Sequence, residues 1–260
     1  MSMLNFDQIV VTGCSFSTGM EMNDGLLPAY KNVKERQLSI WQWAKENLDT
    51  RFESVEQLQN ISTKKWEEKE LDMSWPAMLE KKTNIPVINL SIAGSSIGYS
   101  LVMFSNHIKN HNGKQKRILA IHQLPSYERM YLRFNSIHGR INVIPSDIEK
   151  NNNFGFHKNY FKQDIIKIRQ QYKSKILGNN FFHRYTNSIL KRLEKLSLNS
   201  NITNYYILPE KNKLIDLPKN KFIIEDFSAF RSKYPKGKLG HPIGYDYNND
   251  LCNEIISTCC

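Results

Sequence analysis

Apolar positions along the chain fall into five short, dense runs, separated by stretches in which they recur every three or four residues. The runs are Phe6 to Thr12 (FDQIVVT), NIPVINLSIAG from Asn84, Lys116 to His122 (KRILAIH), Asn204 to Leu208 (NYYIL) and Lys221 to Glu225 (KFIIE). Short runs of this kind, rich in β-branched residues, are what strands buried on both faces of a parallel sheet look like. With helical spacers between them they predict an α/β domain of the doubly wound, flavodoxin-like type, a three-layer sandwich of about five parallel strands.

The spacers carry the helical period. SWPAML from Ser74 reads as a helix that turns into the second strand. Between Ser95 and Asn110, Ile97, Leu101, Phe104 and Ile108 share one face, and Ser95 or Ser96 is placed to cap the first turn. Two spacers are longer than the minimal plan needs. Residues 20–73 contain a helix with Val33, Ile40, Trp41, Ala44 and Leu48 on one face, followed by a charged stretch around KKWEEKE. Residues 126–200 read as two helices broken at Gly178-Asn179-Asn180, with Phe161, Ile165, Ile168, Tyr172 and Ile176 on the first and Phe182, Tyr185, Ile189 and Leu193 on the second. No internal repeat or long linker interrupts the pattern, so the expectation is a single domain over residues 1–260 with two helical insertions.

Composition agrees with a core of ordinary size: 40% of the residues are hydrophobic and 11% aromatic, which excludes a disordered tail or a fibrous repeat. The four cysteines show no C-x-x-C spacing and no histidines at zinc-like intervals, so neither a metal, a cofactor nor a disulfide framework is expected. The chain offers no apolar run of membrane-spanning length, and its first residues, MSMLNFDQIVV, lack the basic start of a secretion signal. A reducing, cytoplasmic setting without membrane association is the expectation. The Cys259-Cys260 pair does not make a lipidation box, which would need cysteine where Ser257 stands.

Charge adds a second theme. Lys and Arg number 36 against 25 Asp and Glu, a formal net charge of +11. Residues 150–195 alone hold eleven basic residues against Asp164 and Glu194, so most of the excess belongs to the second insertion. Basic faces on amphipathic helices are ordinarily solvated surface. Interleaved Tyr160, Phe161, Tyr172, Phe181, Phe182 and Tyr185 make the same segment a candidate wall for a polyanion, although no nucleic-acid motif accompanies it.

Candidate chemistry begins directly after the first strand, at Gly13-Cys14-Ser15-Phe16-Ser17-Thr18-Gly19. This is the C-terminal sheet edge where doubly wound folds bind ligands. The segment matches neither G-x-x-x-x-G-K-[ST] nor G-x-G-x-x-G, which leaves presentation of a nucleophile, the Ser15 hydroxyl, beside backbone N–H groups able to bind an oxyanion. A serine after a strand also serves as an ordinary turn residue.

GCSFSTG resembles the first block of the SGNH (GDSL-type) hydrolases, with a cysteine where Asp usually precedes the nucleophile, a variant found in virus-encoded and bacterial members. Asn89 to Ser96 (NLSIAGSS) resembles the second block, and Gly240-His241-Pro242-Ile243-Gly244 with the helical NDLCNEII after it resembles the last. The blocks span residues 9–256. The resemblance implies a serine esterase or deacetylase with Ser15 as nucleophile, His241 as general base, and an oxyanion hole from the N–H groups of Ser15 and Gly94. Its implied substrate is a small ester, and its virus-encoded members add virion association to the cytoplasm as a setting; with the basic insertion overhanging the site, the O-acyl group of an acidic, O-acetylated carbohydrate is the further expectation.

Two departures stand out. Where the family carries Gly-x-Asn-Asp, this chain has His122-Gln123-Leu124-Pro125-Ser126, so Gln123 takes the place of the oxyanion asparagine. Three residues before His241, where the family carries its acid, stands Lys238, which cannot accept a proton from an imidazole. Asp226, Asp246 or a backbone carbonyl is left to orient His241. The same departures motivate the alternative of a weakly active or inactive binding or structural protein on this fold, associating with a polyanion through residues 150–195. Cys14 is expected to be a small buried thiol rather than the nucleophile. His122, His138, His157 and His183 lack acidic or thiol companions and are assigned no ligand role.

Overall fold

The computed structural model describes residues 5–14, 17, 27, 33–48, 53–92, 95–110, 116–125, 130–133, 140–143, 181–198, 201–236, 242 and 245–259. Its strands are β1 (Gln8–Thr12), β2 (Val87–Asn89), β3 (Ile118–Gln123), β4 (Met130–Arg133), β5 (Arg140–Val143), β6 (Ile202–Ile207) and β7 (Phe222–Ile224). Five of them form one all-parallel sheet in the order β2-β1-β3-β6-β7, the flavodoxin-like order of a doubly wound sheet. The chain steps outward from β1 to β2 and then crosses back to β3, so the winding reverses between β1 and β3, the place where such sheets open a ligand crevice. Their register sets Thr12 opposite His122, which brings Gly13 and Gln123 to that crevice side by side.

The helices are α1 (Val33–Asn47), α2 (Val55–Met73), α3 (Trp75–Thr83), α4 (Ile97–Asn110), α5 (Phe181–Ser197), α6 (Phe227–Arg231) and α7 (Tyr245–Cys259). On one face of the sheet Trp75 and Leu79 of α3, Phe227 of α6 and Tyr247 and Leu251 of α7 pack against Ile9, Val11, Leu119 and Ile121. On the other, Phe104 of α4 and Ile189, Leu190 and Leu193 of α5 pack against Val10, Ile118, Ala120 and Tyr206. All five residues of β1 and all six of β3 are buried, as the dense apolar runs require of central strands. Local signals set the ends of helices. Pro76 sits in the first turn of α3, whose end is closed by Asn84 at φ 58°, and the Ser96 hydroxyl accepts from the Tyr99 N–H at the start of α4.

Both insertions differ from the sequence expectation in content. The charged stretch around Lys64 is part of a second long helix, α2, capped by Ser54, whose hydroxyl accepts from the Gln57 N–H at 3.1 Å. Leu58, Ser62, Trp66 and Glu70 recur every fourth residue and form its buried stripe; with only two large apolar residues in it, the helical period was masked by charge. Between residues 126 and 200, β4 and β5 form an antiparallel hairpin that was not expected, pairing Leu132 with Ile141 and Met130 with Val143. Four-residue strands are too short for alternation to stand out from a helical period. The helix expected around residues 161–176 lies outside the described residues, whereas the one after Asn180 is α5.

α1 and α2 form a helical hairpin. Trp43 meets Trp66 edge to face at 4.9 Å, Gln37 donates to Thr63 at 2.9 Å, and the Arg36 guanidinium pairs with the Glu70 carboxylate at 2.5 Å with both side chains more than nine-tenths buried. A buried pair of this kind roughly balances its own desolvation, so it adds little net stability.

His122, assigned no ligand role from the sequence, is a satisfied core histidine. It faces α4 and α5, with Phe104 edge-on at 5.0 Å and Tyr206 stacked at 5.3 Å. The Asn204 amide nitrogen is taken up by the Leu193 carbonyl, the Glu194 carboxylate and the Ser197 hydroxyl, which leaves Asn204 Oδ1 to accept from His122 Nε2 at 3.2 Å. His122 Nδ1 then accepts from the Thr12 hydroxyl at 2.9 Å. Burial lowers its pKa to about 4, against the opposing pull of Asn204 and Glu194. An unfolded chain takes up this proton near pH 6.5, while the native state refuses it until about pH 4. Stability is therefore expected to fall by roughly 3 kcal/mol as pH drops through that window. Urea midpoints at pH 7 and pH 4.5 check this, and the pH-dependent part is expected to shrink in His122→Asn.

Candidate active site

The site is built where β1 and β3 end. Gly13 follows β1, and a Cβ placed on it would collide with the Ser17 hydroxyl and lie 3.2 Å from Cβ of Gln123. A side chain at position 13 would force Ser17, and by a few tenths of an ångström Gln123, to shift. The Ser17 N–H donates to the Cys14 carbonyl at 3.0 Å, so the chain folds back immediately beyond the strand. The fully buried Ser17 hydroxyl then donates to Gln123 Oε1.

That bond fixes the amide of Gln123. Its side chain is 1% exposed, its oxygen is committed to Ser17, and its Nε2 is buried with no hydrogen-bond partner among the described residues. An orphan N–H donor of this kind costs stability and calls for an explanation, a catalytic role being one.

The second segment is laced to the first. The Asn89 amide at the end of β2 donates to the Ser17 carbonyl at 2.9 Å and accepts from the Ser91 N–H at 3.1 Å. The Gly13 carbonyl accepts from the Ser95 hydroxyl at 2.5 Å and from the Ile92 N–H at 3.4 Å. Ser95 and Ser96 are both buried, and α4 starts directly after them. The structure thus joins Gly13, Cys14 and Ser17 with Asn89, Ser91, Ile92, Ser95 and Gln123. Ser15, Gly94 and His241 lie outside the described residues.

The surroundings of the last segment are described on either side of it. Pro242 bridges to Lys236, and α7 begins at Tyr245. Asp226 is engaged as the N-cap of α6, accepting from the Ala229 N–H at 2.8 Å, while Asp246 is exposed in the first turn of α7. Cys14 is buried, as expected of a small core thiol. Burial pushes the Cys252 thiol up to about 12, so it stays protonated, with its sulfur against the Trp75 carbonyl at 3.2 Å. His183 is partnered by the Asn212 amide at 2.6 Å. His138 and His157 lie outside the described residues. Among the described residues no group of three or more His, Cys, Asp or Glu is placed to hold a metal ion, and no helix is long and apolar enough to cross a membrane.

One contributor was not visible in the sequence. Ser17 sits in the first block as an undistinguished second serine, although it orients Gln123.

Gly13→Ala is expected to be destabilised by about 1–3 kcal/mol, the usual cost of forcing an extra methyl into a packed site. It is also expected to disturb the Ser17–Gln123 bond, which must open to admit the methyl. Thermal melting checks the loss of stability.

No protein-family model matches the chain, and no curated protein matches it.

Proposed function

We propose that the protein is a serine hydrolase of the SGNH type that cleaves a carboxylic ester through an acyl-enzyme. The observation that carries the reading is Gln123: a buried amide where β1 and β3 end, beside Gly13, with its oxygen held by Ser17 and its Nε2 without a partner among the described residues. Ser15, two residues after Gly13 in the sequence, attacks the ester carbonyl with its hydroxyl oxygen. His241 takes the hydroxyl proton and passes it to the departing alcohol as the carbonyl–oxygen bond breaks. The negative charge that forms on the carbonyl oxygen is met by the N–H groups of Ser15 and Gly94 and by Gln123 Nε2. Water, deprotonated by His241, then attacks the acyl-enzyme, releasing the acid and restoring Ser15. Asp226 already serves as a helix cap, which favours Asp246 or a backbone carbonyl as the group that orients His241.

The test is hydrolysis of p-nitrophenyl acetate by the wild-type chain and by Ser15→Ala at equal concentration. Activity confined to the wild type supports the reading, and equal rates sink it.

A second reading has its own observation. Arg184, Lys191, Arg192 and Lys195, with Asn187 and Ser188, share one face of α5 and line a groove of about 500 Å³. Lys191 is paired with Asp216 at 3.0 Å, but both groups are about two-thirds exposed, so the pair is worth little. This face suits association of a hydrolase-fold protein with a polyanion, and retention on heparin with a steep salt dependence would support it.

A further inference from the structure

The outer face of α5 carries four cations side by side. Arg184, Ser188, Lys191, Arg192 and Lys195 are all exposed and line the α5 groove of about 500 Å³. We propose that this face holds the phosphates of a nucleic-acid duplex without reading its bases; this names a partner for, and rests on, the polyanion reading above.

The cations stand in a row on a fixed support. Positions 184, 188, 191 and 195 keep the three- and four-residue spacing that leaves side chains on one side of a helix, and at about 1.5 Å per residue they span roughly 16 Å. On the other side of α5, Ile189, Leu190 and Leu193 are buried in one cluster with Val10, Ile118, Ala120 and Tyr206. The backbone that carries the row is therefore already ordered, and binding does not have to order it.

Nearby acids leave the charge to a partner. Glu194, the one acid in α5, turns to the sheet, where it accepts from the Tyr206 hydroxyl at 2.7 Å and from the Asn204 amide at 3.2 Å. Asp216 pairs with Lys191 at 3.0 Å, but both side chains are about two-thirds exposed and the pair is too weak to withhold Lys191 from a phosphate.

The same face discriminates between polyanions. A helix that settles on a lipid surface inserts apolar side chains beside its cations. Here the large apolar side chains of the helix centre are in the core, and Asn187 and Ser188 fill the gaps in the row. A single strand is gripped largely by stacking its bases on aromatic rings, and the lining of this groove holds none among the described residues. A duplex needs neither device. Each of its strands presents a phosphate per about 3.4 Å of axis, so roughly 16 Å of helix face passes four or five of them, enough for one per cation. Arg184 and Arg192 add planar forks of donors that match phosphate oxygens.

The experiment is fluorescence anisotropy of a labelled DNA duplex of about 20 base pairs with the full chain, from about 0.05 to 0.2 M salt. A dissociation constant on the order of 10⁻⁵ M at physiological salt is expected, with log K falling against log salt at a slope of at least about 3.6, four phosphates at about 0.9 each. Arg184→Gln or Lys195→Gln alone is expected to reduce the slope by about 0.9 and to weaken binding about fivefold at physiological salt. Replacing Arg184, Lys191, Arg192 and Lys195 together with Gln is expected to remove about 3.6 from it, whereas Asp216→Asn, which releases Lys191, is expected to tighten binding about twofold. Every substituted position is exposed, so thermal midpoints are expected to hold. A slope unchanged in the fourfold variant would overturn the assignment to α5 and leave the polyanion reading to the rest of residues 150–195. Heparin retention lost in the fourfold variant without duplex binding, or tighter binding of a single strand or of anionic vesicles, would overturn the duplex as partner and keep the polyanion reading. A chain that binds none of these removes both.

Discussion

Ser15→Ala is expected to lower kcat for p-nitrophenyl acetate by on the order of 10⁴-fold to 10⁶-fold, down to what an oxyanion hole and binding alone sustain. On the proposed mechanism the loss is large because the serine supplies the covalent path itself: without its oxygen, water would have to attack the ester directly and His241 would have no hydroxyl to deprotonate. Folding is expected to be little affected, since the change removes one small hydroxyl and adds nothing. Cys14→Ala makes the matching control. Cys14 is 2% exposed and sits on the core side of the strand end, so its removal is expected to cost stability rather than the chemical step. Steady-state kinetics on the two variants, with thermal midpoints alongside, assign the nucleophile between neighbouring residues.

Gln123→Met is expected to reduce kcat by about 10²-fold to 10³-fold with KM nearly unchanged. Methionine keeps the length of the side chain but has no N–H, so the ground-state ester is bound as before while the transition state loses a donor. The substitution also removes the acceptor for the Ser17 hydroxyl, a loss of about 1 kcal/mol that appears in thermal melting and not in the kcat-to-KM split. Gln123→Asn retains the amide on a shorter arm and is expected to fall between the two. A Gln123→Met enzyme with wild-type kcat would leave Gln123 as a packing residue and take away the main structural support for the proposed chemistry.

β3 shows how far sequence pattern reaches. The run KRILAIH identified a central buried strand, and strand alternation then separates two adjacent polar residues: His122 faces α4 and α5 and is fully used by Thr12 and Asn204, while Gln123 turns to the other face, where Ser17 holds its oxygen and its Nε2 has no partner among the described residues. The five strands and the amphipathic α4 and α5 were legible because burial imposes one period over many residues. α2 was not, because charge fills three of its faces and Trp66 and Leu58 alone mark the fourth, and β4 and β5 were not, because four residues carry too little period to read. In the site, Gly13, Ser17, Asn89 and Ser95 are joined, while Ser15, Gly94 and His241 lie outside the described residues. The Ser17–Gln123 bond spans 106 residues and follows only from the β1/β3 register, so no local pattern could have announced it. The net charge, prominent in the composition, bears on the α5 surface and not on the crevice.

The central claim is that Ser15 forms a covalent intermediate, and a fluorophosphonate probe tests it most directly. The account predicts a single adduct that maps to Ser15 by peptide mass spectrometry, is reduced by competing ester and is absent from Ser15→Ala. An unlabelled chain, or an adduct on Ser17 or Ser95 with Ser15 free, would contradict it.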